Sequence, residues 1–175
     1  MTGTTVTTAR NSPAPAAPDM CVPCGDGYLN IRVGAVIMKD GKILMAGNER
    51  NEYLYSVGGR IKFGETAEEA VRREVREETG RDLEIDRLGF VHETYFPGDT
   101  PSKMGRPIYE ISFYFYMKTP PDFEPVCDSF SEECGREFLR WIDPEGDEKY
   151  FPEFFRTELA HPAQTVKHFV SDDRR

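Results

Sequence analysis

The chain has 175 residues, the length of one ordinary domain, whose single core would bury about two-thirds of the unfolded surface. Its 31 Asp and Glu against 22 Lys and Arg give a net charge of -9. That balance argues against a nucleic-acid polymer or an anionic bilayer as partner, because non-specific binding to either draws on clustered positive charge. Apolar runs such as Val33 to Met38 fall far short of the roughly 20 residues that span a bilayer, so no membrane helix is expected.

The first twenty residues, rich in Thr, Pro and Ala with one basic residue and no apolar block, do not read as a secretory signal. A disordered tail is expected over 1–24, with the folded domain over 25–175 and a cytoplasmic location. Cys21 and Cys24 stand as CVPC, and Cys127 and Cys134 lie about a hundred residues on. A zinc ribbon needs two close C-x-x-C pairs, so ordinary thiols are expected.

From Leu29 the sequence alternates as a strand, with Ile31, Val33, Ala35 and Ile37 on one side, and Asp40-Gly41 turns it into a second strand over 42–46. A short strand from Tyr53 is expected to end at Gly58-Gly59. Longer strands are expected over 83–96 and 107–118, joined by the loop Phe96 to Gly105, a plausible lid, and a last one over 136–142. Residues 151–170 suggest one or two short helices separated by Pro162.

One strong helix stands among these strands. Thr66 and Glu69 form a capping box, and Gly80 supplies the stop. Strands around one helix indicate a mixed α/β domain. Advancing 100° per residue from Ala67 places Ala70 at about 300°, Val71 at about 40° and Val75 at about 80°. On the same wheel Glu74 falls at about 340° and Glu78 at about 20°, inside that apolar arc, with Glu77 on its border at about 280°.

Acids there are costly. Like charges at i and i+4 lose a few tenths of a kcal/mol, and anions in the last turn lose roughly 0.3 to 1 kcal/mol each against the helix dipole. The arginines of the helix fall on the far side, so the positive partner these acids require is expected to be a hard divalent cation.

The stretch Gly59 to Gly80, GRIKFGETAEEAVRREVREETG, resembles the Nudix box, with Gly59, Glu65, Arg73, Glu74, Val75, Glu77, Glu78 and Gly80 in place. Two positions depart from the pattern: Arg81 occupies the closing apolar site, and Val57 stands where a proline often precedes the glycine pair. The resemblance implies a Nudix α/β/α sandwich with a mixed sheet and the box helix at its centre. It further implies hydrolysis of a nucleoside diphosphate linked to another group, with Mg²⁺ or Mn²⁺ held by Glu74, Glu77 and Glu78. Glu65 would brace the helix start or pair with Arg73, Gly58 and Gly59 would bring backbone to the diphosphate, and Glu77 or Glu74 would act as base, unless another loop supplies that glutamate. A possible homodimer is implied as well. The alternative from a different class is a nucleotide-binding Nudix module without catalysis.

Outside the box, Arg32 is a candidate for phosphate. Glu110 reads as a further carboxylate or a solvated strand residue, and Tyr53, Tyr55 and Tyr95 as base-stacking or simply packed rings. His92, His161 and His168 form no ligand spacing.

Overall fold

The computed structural model describes residues 17–98, 100–126, 130–131 and 135–174. Residues 1–16 of the tail expected over 1–24, together with Cys127 and Cys134, lie outside the described residues.

The first sheet is built on β2 (Gly27–Val36), whose far end is buried on both faces at Val33, Ala35 and Val36. A strand buried on both sides sits in the middle of a sheet. β2 pairs in parallel with β8 (Pro107–Lys118), which pairs antiparallel with the long β7 (Glu84–Pro97). β1 (Cys21–Cys24) and β6 (Gly58–Arg60) both add to β2, and β12 (Lys167–Asp172) closes the other edge in parallel with β7. The second sheet runs β11 (Tyr150–Phe151), β5 (Leu54–Ser56), β4 (Lys42–Asn48), β10 (Gly135–Ile142) and β9 (Phe130–Ser131), with β3 (Met38–Lys39) hairpinned onto β4. Asp40 and Gly41, at φ 51° and 75°, make that hairpin turn, the left-handed pair that matches the twist of two antiparallel strands.

Two apolar clusters hold the layers together. α1 (Ala67–Thr79) lays Ala70, Val71 and Val75 against Val33, Ala35, Phe115 and Met117 of the first sheet. On the opposite face Val36, Phe90, Tyr114 and Tyr116 pack with Ile43, Met45, Ile142 and Tyr150, and with Phe155 of the one-turn helix α2 (Phe155–Glu158). The result is the expected mixed α/β fold with one central helix, its strands divided between two sheets.

Three expectations need correction. Residues 21–24, expected in the tail, form a strand instead, because Cys21–Cys24 pairs with Gly27 to Asn30, and Asp19 bridges Lys62. Gly58–Arg60 continues as a strand instead of ending one. Its two glycines can lie flat against β2, where Gly59 pairs with Val33 and Gly58 with Gly34. The second C-terminal helix is the strand β12: its burial alternates residue by residue, Phe169 stacking on Phe154 at 4.1 Å while His168 and Val170 face outward. Period two belongs to a strand, and β7 offers an edge to complete it.

Candidate active site

Thr66 starts α1 by accepting the Glu69 N–H at 3.2 Å, while the Glu69 carboxylate accepts the Thr66 N–H at 2.8 Å. The reciprocal cap satisfies donors that a helix start otherwise leaves open. Gly80, at φ 63°, ends the helix with its N–H donating to the Arg76 carbonyl. Between these stops, burial of Ala70, Val71, Val75 and Thr79 fixes the rotation of the helix about its axis.

That rotation sets the acids where the helical wheel placed them. The Glu74 side chain is only 13% exposed, whereas that of Glu77 on the border is 54% exposed. Glu78 Oε1 accepts the backbone N–H of Gly58 at 3.1 Å. Both glycines of β6 are there for closeness: a Cβ at Gly58 would stand 2.2 Å from the Val33 carbonyl oxygen, and one at Gly59 2.3 Å from Glu74 Oε1. Backbone and carboxylate therefore meet with nothing between them.

Arg73 departs from the expectation that the arginines of this helix point away. Arg72 and Arg76 are exposed, but the long Arg73 side chain folds back over the cluster. Its Nε and Nη2 donate to the two Glu65 oxygens at 2.6 and 2.9 Å, and Nη2 also reaches the Arg60 carbonyl at 3.0 Å. Nη1 donates to Glu74 Oε1 at 2.6 Å and to Glu77 Oε2 at 3.2 Å. One planar guanidinium thus ties the loop before the helix to two of its acids.

Electrostatics divides the carboxylates. Hydrogen bonding from Arg73 holds Glu65 below the usual glutamate range. Burial pushes Glu74 up against the opposing pull of Arg73. Glu78 is pushed up to about 8, chiefly by burial and further by the negative charges of Glu74 and Glu137, against the pull of the Gly58 N–H and Arg32.

A second wall comes from the first sheet, where the parallel register sets Asn30 beside Glu110 and Arg32 beside Ser112. Asn30 Nδ2 donates to Glu110 Oε2 at 2.6 Å and Ser112 Oγ to Glu110 Oε1 at 3.1 Å. Arg32 Nε lies 4.0 Å from Glu110, and its Nη2 lies 3.5 Å from the Gly58 carbonyl oxygen. Burial works to lower the Arg32 pKa, but the carboxylates of Glu110, Glu74 and Glu78 outweigh it and raise the value. Glu110 is therefore a fixed counterion rather than a solvated strand residue.

The tyrosines are engaged elsewhere. Tyr53 packs edge-on against Phe151, Tyr55 accepts a hydrogen bond from Asn48 Nδ2, and Tyr95 stacks on Tyr109. Glu137, on β10 and felt by Glu78, was not singled out from sequence, because only the pairing of β10 with β4 brings it near. Among the described residues no three of His, Cys, Asp or Glu stand in a metal-holding arrangement, and Arg73 engages one oxygen each of Glu74 and Glu77.

The sequence model of the NUDIX domain matches residues 29–153, most of the chain. The chain belongs to the NUDIX domain family. It is a hydrolase of the Nudix type. Solved Nudix structures share its fold at low identity. The mutator MutT protein of Bacillus halodurans superposes with a TM-score of 0.59 at 18% identity, over 82% of this chain and 91% of that one. An ADP-ribose pyrophosphatase of Streptococcus suis gives 0.53 at 13%, over 81% and 98%. A UDP-X diphosphatase gives 0.55 at 14%, over 80% of this chain and 66% of its own. No curated protein sequence matches. Among the described residues, no helix of this Nudix domain is long and apolar enough to cross a membrane.

Proposed function

We propose that this Nudix hydrolase is a Mg²⁺- or Mn²⁺-dependent pyrophosphohydrolase. Its substrate would be a nucleoside diphosphate linked to a further group: a nucleoside triphosphate, ADP-ribose or a sugar nucleotide. Water attacks phosphorus in the reaction. The observation that carries this reading is the inward pair Glu74 and Glu78, pressed against the backbone of Gly58 and Gly59.

The donor set fits a hard cation: every candidate ligand is a carboxylate oxygen, and two of the acids, Glu74 and Glu78, are crowded together away from water. Glu74, Glu77 and Glu78 would hold the ion. When bound, it supplies neutralisation of the phosphate charge and Lewis-acid polarisation. Arg73, braced by Glu65, aims Glu74 and Glu77 and so acts as a positioning residue. Proton transfer from the attacking water falls to Glu77 Oε1 or Glu74 Oε2, the oxygens Arg73 leaves unengaged. Arg32, held in place by Glu110, offers its guanidinium to the diphosphate from the opposite wall. The free thiols of Cys21 and Cys24 agree with a cytoplasmic location.

The test is turnover on a panel of nucleoside triphosphates, ADP-ribose, sugar nucleotides and dinucleotide polyphosphates, with and without Mg²⁺ or Mn²⁺. Product is expected from at least one class, and only with metal added. No product from any class in the presence of metal would overturn the reading.

A further inference from the structure

Side chains two apart on a strand share a face, so Tyr28, Asn30 and Arg32 of β2 stand in one row. The parallel register sets Glu110 of β8 beside Asn30, and the antiparallel registers set Cys21 of β1 beside Asn30 and Arg60 of β6 beside Arg32. The row begins at Arg32, the proposed contact for the diphosphate. It ends at Tyr28, about 13 Å farther along the strand at roughly 3.3 Å per residue.

At that far end two cations converge. Lys103 and Arg106 follow β7 and lead into β8, and both reach the Tyr28 ring: the ammonium lies 5.1 Å and the guanidinium 4.6 Å from its centroid. Lys103 Nζ donates to Cys21 Sγ at 2.9 Å. Arg106 donates through Nε to the Asp26 carbonyl at 2.8 Å and through Nη1 to the Tyr28 hydroxyl at 2.9 Å. Ring, thiol, carbonyl and phenol hold the two side chains in place without cancelling their charge. The other cations of the row are paired, Arg32 at 4.0 Å from Glu110 and Arg60 at 3.5 Å from Asp19. Among the described residues, Lys103 and Arg106 have no carboxylate within 4.0 Å, and Arg106 Nη2 has no partner. Two adjoining, half-buried cations without an acid are out of place in a chain that carries 31 acids and a net charge of -9. Such a local mismatch marks a place that serves a ligand.

We infer that Lys103 and Arg106, mounted on Tyr28, form a subsite for a phosphate monoester carried on an arm of the substrate beyond the diphosphate. A phosphate monoester brings close to two negative charges at neutral pH and so matches two cations, whereas a carboxylate would leave one uncompensated. Arg106 offers a planar fork to two phosphate oxygens, and Lys103 adds a point charge with donors to spare. The inference rests on the reading that Arg32 meets the diphosphate. Among the substrates of that reading, it favours one whose arm bears a further phosphate, set off from the anhydride by a spacer such as a sugar ring.

Calorimetric titration with two pairs of probes tests it: NADP⁺ against NAD⁺, and coenzyme A against dephospho-coenzyme A. Each pair is one diphosphate-bearing molecule with and without a single ribose phosphate. Metal is chelated, so binding is read without turnover. The wild type is expected to bind the phosphorylated member of at least one pair about tenfold more tightly or better. That advantage should shrink as salt is added. Lys103→Gln should cut the ratio by about threefold or more, and Lys103→Gln combined with Arg106→Gln should bring it to about one. If the double variant misfolds, Lys103→Gln decides alone, because the Lys103 side chain holds no backbone group. No advantage within either pair, whether through equal binding or none, would overturn the subsite, as would a ratio that Lys103→Gln leaves untouched. Failure here is separable from failure of the reaction. A chain that hydrolyses nucleotides without this preference loses the subsite and keeps the chemistry, and one that shows the preference but hydrolyses nothing loses the chemistry and keeps the subsite.

Discussion

Both ends of α1 are acidic, and they behave in opposite ways. At the start, Glu68 and Glu69 stand where the helix dipole favours anions, and Glu69 completes the cap with Thr66. Toward the end, Glu74, Glu77 and Glu78 stand where the dipole opposes them, two of them turned inward and pushed to raised pKa values by burial. The first set serves folding and the second works against it. Acids that persist where they lower stability mark the part of the helix that serves chemistry.

Substituting one residue at each end breaks the comparison open. The largest effect is expected at Glu78→Gln. Its amide oxygen can still accept the Gly58 N–H, yet the charge is gone, so metal-dependent turnover should fall by roughly a hundredfold or more in steady-state kinetics. Next comes Arg73→Lys. An ammonium cannot hold Glu65, Glu74, Glu77 and the Arg60 carbonyl at once, so kcat should fall by about tenfold or more while the metal requirement persists. The smallest effect on activity belongs to the other end. Thr66→Ala should lower stability to denaturant by about 1 kcal/mol, with kcat unchanged at a temperature where the protein is folded. A Thr66→Ala enzyme that loses activity before it loses structure would erase the distinction between the two ends.

Much of this contrast was legible in the sequence because it is local. Cap, stop and apolar phase all lie within fifteen residues, and the wheel placed Glu74, Glu77 and Glu78 at the depths at which they are found. Arg73 was misjudged because the wheel gives the direction of a Cβ, and four further side-chain bonds let the guanidinium return over the cluster. Glu110 and Asn30 are eighty residues apart in the chain, and only the β2–β8 register brings them together. Strands β1, β6 and β12 escaped notice because each is short and lies at a sheet margin or on glycines, so its pairing partner, not its own propensity, makes it a strand.

Thermal unfolding of the wild type and of Glu78→Gln, each with and without Mg²⁺, tests the central claim most directly. A ligand that binds only the folded state raises its stability. The account predicts that Mg²⁺ raises the wild-type Tm, that the variant without metal melts at or above the wild type without metal, and that Mg²⁺ raises the variant's Tm much less. A variant that melts well below the wild type in the absence of metal, together with a wild type indifferent to Mg²⁺, would show that Glu78 serves the fold and would contradict the account.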